Sequence, residues 1–481
     1  MLSEFRLSAA IVAGRAAGLA SRAFGRGGGT TLPGVIARQV DPQVLRRLAA
    51  RLPEGVVVVA GTNGKTTTTR MIASILERGG QPVLHNRAGA NLLSGLTSTA
   101  LGGASLGGRL HAQIGLFETD EAALPDVIDE TAPRLVVLHN LFRDQLDRYG
   151  EVDTIARKWR AALERLPASS TVLLNADDPA TADLGAALTA QVRYYGLEDT
   201  RHGGGATNMA DSQFCRRCGA PYQYSTTFYA HVGHYVCPNC GHSRPTPEFK
   251  LERLELDGTE TSRLLISYPG GAAEIALPLP GLYNAINALA AAAATLLLGA
   301  TPHVVRETLE RFSAAFGRIE RIDAGGKPLF MALIKNPVGA SETVRMLAGV
   351  QGAEARVQES EGQMPNREAQ TLQVFIAIND RHADGTDVSW LWDADFERLA
   401  GRVATVVVSG TRAEDMAVRL KYAGVPVGQI VVEPDLPRAL DLALARLPPG
   451  ETLYTMPTYT AMLELRGELV RRGWARPFWE D

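Results

Sequence analysis

The sequence predicts an α/β protein: a central phosphate-loop domain on a parallel sheet, interrupted by an inserted four-cysteine zinc ribbon and followed by a C-terminal Rossmann-like α/β domain. Three observations predict it. Four valines, Val56 to Val59, run into the glycine-rich turn Gly61-Thr62-Asn63-Gly64-Lys65-Thr66-Thr67, the pattern of a buried strand ending in a phosphate cradle at a helix N-terminus. Apolar runs then alternate with helical patterns along most of the chain, which is the rhythm of a doubly wound sheet. All four cysteines fall in two C-x-x-C pairs, Cys215/Cys218 and Cys237/Cys240, a strong zinc-ribbon spacing.

The length, 481 residues, suggests about three domains, and 45% hydrophobic content supplies full cores. Residues 1–50 read as a short helical lead-in around a glycine-rich break, Gly25 to Gly29. Its arginines around an apolar segment superficially resemble a signal peptide, but Arg15 interrupts the apolar run, so a helix packed on the core or on a partner is the better reading. Residues 51–316 form the central ATP-binding domain, with strands expected at Val56 to Ala60, Ile114 to Phe117, Leu135 to His139, Thr171 to Asn175 and Val192 to Tyr195. The ribbon occupies about 205–245, and Leu251 to Tyr268 alternates as antiparallel strands do. Residues 317–481 restart the α/β rhythm with strands near 329–334, 372–378, 404–409, 429–432 and 452–455; Gln351 to Gln370 reads as a mobile polar insertion.

Charge narrows the classes. With 49 basic and 52 acidic residues the net charge is −3, so no global field favours nucleic acid, and Arg216, Arg217 and Arg244 with Tyr222 and Tyr224 are too few to make the ribbon a nucleic-acid binder. The longest apolar stretch, Ala288 to Ala300, is too short to span a bilayer and reads as a buried helix. An ATP site and four metal-spaced thiols imply a cytoplasmic protein with structural zinc rather than two disulfides. His231, His234 and His242 lie near the ribbon and read as surface residues, since four thiolates already close a tetrahedral site.

In the phosphate loop, Gly61, Thr62, Asn63, Gly64, Lys65, Thr66 and Thr67 are the nucleotide-binding candidates, with Lys65 reaching the β/γ-phosphates of ATP and the Thr66 hydroxyl reaching Mg²⁺. Glu118 ends the apolar run Ile114 to Phe117, where parallel sheets collect ligands, and is the better Mg²⁺ candidate among the acids there.

The loop lacks the early glycine of the common phosphate loop, having Val59 in its place, and G-T-N-G-K-T-T after an apolar strand resembles the Mur ligase family. Further matches follow in order: His139-Asn140 through Asp147, with Gln145 where the family carries a magnesium histidine; Asn175-Ala176-Asp177-Asp178-Pro179; Gly281 to Asn287; and Gly317-Arg318-Ile319-Glu320. The resemblance implies that Glu118 binds magnesium, that Asn284 lies by the adenine, that Arg318 reaches phosphate, and that Lys158 lies near a position several members carbamylate.

Only about 57 residues precede the loop, too few for the family's usual N-terminal domain that holds the UDP end of the precursor at full size, so a UDP-linked substrate loses support. Ala332-Leu333-Ile334-Lys335-Asn336-Pro337 replaces the D-Y-A-H-N-P of amino-acid-adding members. These features, the ribbon and the segment Ala377 to Asp393 resemble the synthetase subunits of lipid II isoglutaminyl synthases. That branch implies amidation of the D-glutamate α-carboxylate of the lipid II stem peptide through an acyl phosphate, with Lys65 and Glu118 acting in the first step, at the inner face of the cell membrane. It also implies a GatD-like glutamine amidotransferase partner, since zinc-bound cysteines leave no thiolate to hydrolyse glutamine. Asp393, Asp387 and Asp384 are candidates for an aspartate that completes the partner's Cys–His pair, Asp393 being favoured. The alternatives are a single-chain Mur or folylpolyglutamate-type amino-acid ligase and, in another class, a zinc-ribbon nucleic-acid-binding ATPase.

Overall fold

The computed structural model describes residues 2–23, 31–86, 90–142, 152–204, 212–313, 319–360 and 371–476. Its strands are β1 (Val56–Ala60), β2 (Val83–His85), β3 (Ile114–Glu118), β4 (Leu135–Leu138), β5 (Thr171–Asn175), β6 (Gln191–Leu197), β7 (Gln223–Tyr229), β8 (Val232–Val236), β9 (Phe249–Asp257), β10 (Thr261–Tyr268), β11 (Gly271–Leu277), β12 (Ile319–Asp323), β13 (Pro328–Ala332), β14 (Leu372–Ala377), β15 (Val403–Ser409), β16 (Ile430–Val432) and β17 (Leu453–Pro457). Nine of them form one sheet, in the order β11-β10-β9-β6-β5-β4-β1-β3-β2. Six form a second sheet, β12-β13-β17-β14-β15-β16, and β7 pairs with β8 alone.

In the first sheet the strands from β2 across to β9 are parallel, and β10 and β11 extend it as antiparallel strands. The valines of β1 are buried on both faces, as helices covering both sides of a parallel sheet require. Val57 and Val59 face the core containing the helices Lys65–Arg78 and Leu282–Leu297, whereas Val56 and Val58 face the core containing Leu93–Gly103, Leu124–Thr131 and Val152–Leu163. β1 therefore opens at the carboxyl edge between two helical layers, the place where open α/β sheets bind ligands. Ala288 to Ala294 lie wholly buried in the helix Leu282–Leu297, because small side chains let it approach the sheet closely.

The second sheet is parallel from β13 to β16, with β12 antiparallel at one edge. The helix Pro337–Ser360 follows β13 and runs through residues 351–360. The first part of the polar insertion expected over Gln351 to Gln370 is thus helical in backbone; 361–370 lie outside the described residues.

The ribbon hairpin is wedged against both lobes. Gly233 N–H donates to Asp177 O at 2.8 Å, and the Arg244 guanidinium pairs with the wholly buried Asp177 at 2.6 Å. From the other side, Arg345 of the helix Pro337–Ser360 donates to Phe228 O and to His202 O, the latter at 2.6 Å. His231 at the hairpin turn is 1% exposed, packs its ring on Phe142 at 4.7 Å with the planes tilted by 49°, and lies 3.4 Å from Asp178. His242 is also buried, its Nδ1 2.9 Å from the Tyr222 hydroxyl. The expectation that these two histidines lie on the surface is therefore wrong, because a small ribbon recruits its rings to build a core.

Beside Arg345, Glu342 is 7% exposed, and burial pushes its carboxyl up to about 7 against the pull of Arg345 and Arg398. The folded protein then holds a proton that the unfolded chain releases near its ordinary value of 4.5, so stability falls as pH rises through that window. Glu342→Gln removes this dependence. Thermal unfolding at about pH 8 is expected to show the variant more stable by about 1–2 kcal/mol, with the gap closing towards pH 4.5; an equal gap at both pH values contradicts the assignment.

Candidate active site

The loop after β1 is shaped by two glycines. Gly64 caps the helix Lys65–Arg78 in the left-handed region at φ 89°, which L side chains adopt at a cost, and a Cβ there would run into Asn287 Oδ1. A Cβ on Gly61, at φ 140°, would stand 2.8 Å from the Cβ of His139. The turn is thus pressed between the end of β4 and the helix Leu282–Leu297, with its N–H groups at a helix N-terminus.

Asparagines fix it further. Asn63 N–H donates to Asn140 Oδ1 at 2.8 Å, and Asn140 Nδ2 returns a bond to Asn63 O at 3.2 Å. Thr62 N–H donates to Asn140 O at 2.9 Å, while Phe142 N–H donates to Thr62 Oγ1 at 3.1 Å. Across the lobes, Asn336 Nδ2 donates to Asn63 Oδ1 at 3.0 Å, while its own Oδ1 accepts Gly339 N–H at 2.8 Å and so caps the helix Pro337–Ser360.

The Lys65 ammonium is buried, donating to Gly61 O and, at 2.9 Å, to Glu121 Oε1. A pair this buried is weak evidence for stability but fixes where the cation points. Nearby, His139 is wholly buried with its Nδ1 2.9 Å from the Tyr195 hydroxyl. Burial first and the charge of Lys65 second hold this imidazole down to about 3, so it is neutral beside the lysine.

Thr66 Oγ1 donates to Glu118 Oε1 at 2.9 Å. That separation matches the edge between adjacent ligands of an octahedral Mg²⁺, about 2.9 Å for metal–oxygen distances near 2.1 Å. Asn86 holds the Glu118 backbone from both sides, Glu118 N–H donating to Asn86 Oδ1 and Asn86 Nδ2 to Glu118 O, each at 2.9 Å. The residues present therefore fit a magnesium ion between Thr66 and Glu118. Thr67, also in the loop, is buried in the first turn of the helix.

Other expected residues fall differently. Asn284 Nδ2 bonds back to Pro280 O at 2.7 Å, and it is Asn287, one turn on, that abuts the loop. Lys158 is exposed on the helix Val152–Leu163. Arg318 and Gln145 lie outside the described residues.

The four cysteine sulfurs lie within 4.8 Å of one another, with Cys215 and Cys240 3.6 Å apart and Cys218 and Cys237 3.4 Å apart. A zinc tetrahedron with Zn–S near 2.3 Å has edges of about 3.8 Å, so the cluster fits that ion. Two matching knuckles build it, Gly219 N–H donating to Cys215 O at 2.8 Å and Gly241 N–H to Cys237 O at 3.0 Å, both glycines having positive φ. The Asn239 side chain and then the Ala220 N–H pull the Cys218 thiol down to about 6, which favours thiolate ligation.

The C-terminal acids separate. Asp384 is buried, accepting Thr460 N–H at 2.7 Å and the Thr460 hydroxyl, and so satisfies the first turn of the helix Tyr459–Arg471. Asp387 accepts Ser389 N–H at 2.8 Å in a local turn, which holds its carboxyl below the usual range. Asp393 is exposed beside Trp392, itself 52% exposed. Asp380 was not singled out from sequence, yet it follows β14 at its carboxyl end, with Oδ1 on the Thr411 hydroxyl at 2.8 Å and Oδ2 3.4 Å from Arg412. Its position just past a central parallel strand is the signal that could have found it.

Comparison with known proteins supplies the relatives. The model of the Mur ligase middle domain matches residues 59–240, and that of the MurT ligase C-terminal domain matches residues 333–462. The chain is 33% identical to the lipid II isoglutaminyl synthase (glutamine-hydrolyzing) subunit MurT of Streptococcus pneumoniae, over 96% of each chain. It is also 33% identical to the subunit of the same name from Staphylococcus aureus, over 94% of this chain and 95% of that one. Its fold resembles that of a pseudomurein peptide ligase type C from Methanothermus fervidus, with a TM-score of 0.65 and 19% identity over 89% of this chain and 80% of that one.

Elemental analysis of the purified protein is expected to find one zinc per chain. Cys218→Ser/Cys240→Ser should bring zinc close to zero and lower the thermal midpoint; a wild-type protein free of zinc and unaffected by chelators contradicts the site.

Proposed function

Starting from the fact that this chain belongs to the MurT family of Mur ligases, we propose that it uses ATP to amidate the D-glutamate α-carboxylate of the lipid II stem peptide, giving D-isoglutamine. A carboxylate oxygen bonds to the γ-phosphorus as the bond to ADP breaks. Ammonia then adds to the acyl carbon through its lone pair, phosphate leaves, and the surplus proton passes to solvent. The observation that carries this reading is the buried Lys65 beside the Thr66–Glu118 pair at one loop. A carboxylate approaching a triphosphate meets like-charge repulsion, and preorganised cations in a dry site lower that barrier most.

The residues divide the work. The loop N–H groups and Lys65 bind the phosphates, while Thr66 and Glu118 would hold a magnesium ion, which when bound neutralises phosphate charge. Asn336, tied to Asn63, carries the C-terminal lobe onto the loop. At the corresponding place amino-acid-adding Mur ligases carry an acid and a histidine, and this chain has neither, which favours ammonia over an amino acid as the nucleophile.

Ammonia needs a source. The chain's four cysteines all sit in the ribbon cluster, so glutamine hydrolysis falls to a GatD-like glutaminase subunit whose Cys–His pair this chain completes with an aspartate. Asp384 is engaged in capping the helix Tyr459–Arg471, and Asp387 in a local turn. Asp393 is exposed to a partner, and Asp380 is held in a fixed orientation by Thr411 and Arg412, which is what the third member of a triad must offer.

Incubation with ATP and lipid II is expected to give the unit mass decrease of an acid turned amide, with ammonium alone or with glutamine plus the glutaminase subunit, and none with Lys65→Ala. Amino-acid addition without a glutaminase would replace this reading by that of a single-chain ligase. In the reconstituted complex, one of Asp380→Asn and Asp393→Asn should lower glutaminase activity by about 10²-fold or more, with ammonium-driven amidation preserved; full activity in both sinks the shared triad.

A further inference from the structure

The helix Leu2–Ala23 is built inside out. Its inward face carries Leu7, Ala10, Ile11, Gly14 and Gly18, all buried, and the two glycines are tight: a Cβ on Gly14 would stand 2.8 Å from Pro33 O and one on Gly18 3.0 Å from Pro33 Cγ. Three bulky apolar residues point the other way. Phe5, Val12 and Leu19 are 77%, 52% and 64% exposed. Their spacing of seven places them in one stripe, since seven residues fall only about 20° short of two turns. Exposed Ala16 and Ala20 lie in the same sector, and Leu32 and Val35 of the packed neighbouring helix Leu32–Val40 add 42% and 41% exposure. A helix that only covers a core turns polar residues to water; this one turns an apolar stripe outward.

We propose that this band lies on an anionic lipid surface, with the helix in the plane of the membrane. The proposal rests on the reading that the substrate is lipid-linked, and names the surface that would hold the protein to it. Charge selects lipid over another apolar occupant. The first fifty residues hold seven arginines against only Glu4 and Asp41, in a chain whose net charge is −3, so basic residues exceed acidic ones along the part of the sequence that carries the band. Arg6 and Arg15 sit on either flank of the stripe, Arg6 on Val40 O at 2.8 Å and Arg15 anchored to Leu101 O and Ala104 O. Arginines flanking an apolar stripe are the pattern of an interfacial helix. No helix among the described residues is long and apolar enough to cross a membrane, so the band can bury its side chains only shallowly.

The test is co-sedimentation of the full chain with vesicles of phosphatidylglycerol and phosphatidylcholine, and with vesicles of phosphatidylcholine alone. Wild-type protein is expected on the anionic vesicles and to be released by salt. The triple variant Phe5→Ser/Val12→Ser/Leu19→Ser should bind them at least about tenfold more weakly with unchanged ATP affinity, which shows that the fold is intact. Equal sedimentation of the two proteins, a wild type that stays in solution, or a wild-type dimer that the triple variant abolishes each overturns the proposal. Amidation of a water-soluble short-chain lipid II analogue without vesicles separates this from the functional reading: both proteins should amidate it equally, and loss of that activity in wild type counts against the function rather than against the membrane contact.

Discussion

The candidate active site is built on a turn that has no room for side chains at two points. Gly64 faces Asn287 and Gly61 faces His139 so closely that a single methyl group would displace one wall of the loop. The crowding fixes the backbone of the turn, whose Thr62 and Asn63 N–H groups are held by Asn140, and Lys65 folds back over its own loop to Glu121. The candidate phosphate loop is therefore shaped by packing against β4 and the helix Leu282–Leu297, and Lys65 adds charge to that shape.

The remaining lobes are arranged around that turn. Asn336 joins the second sheet to Asn63 with one side of its amide and caps its own helix with the other. A shift of the C-terminal lobe therefore disturbs a helix cap as well as an interlobe bond. The ribbon hairpin adds a second strut, held on one side by Asp177 and Arg244 and on the other by Arg345. Four thiolates are a compact way to stiffen such a strut, because the ribbon's own core consists of little more than Tyr222, Tyr235, Cys215 and Cys237.

The α/β class, the run of parallel strands and the phosphate loop were legible because each is written in local pattern: four valines buried on both faces, an alternation of period, a Gly-x-x-Gly-Lys-Thr turn. The cysteine cluster was equally plain, since knuckle spacing is itself geometry. What stayed hidden depends on contacts distant in sequence. His231 and His242 read as surface polar residues, and only the docking of the hairpin on Phe142 and the ring packing of the ribbon show them buried. The clamp of Asn86 on Glu118, the cap that consumes Asp384 and the bond between Asn63 and Asn336 join residues 32, 76 and 273 positions apart. Short polar side chains announce such bonds weakly, because the same residues serve equally as caps and turns.

The central claim is that the loop spends ATP on a carboxylate, so that one carboxylate oxygen leaves as part of phosphate. Lipid II carrying ¹⁸O in the D-glutamate α-carboxylate tests this directly, with ATP and ammonium as the other substrates and the released phosphate read by mass spectrometry. The account predicts one labelled oxygen in each phosphate formed per amide made. Phosphate without label, alongside amide product, would show that ATP is hydrolysed by water and that the site does not activate the carboxylate.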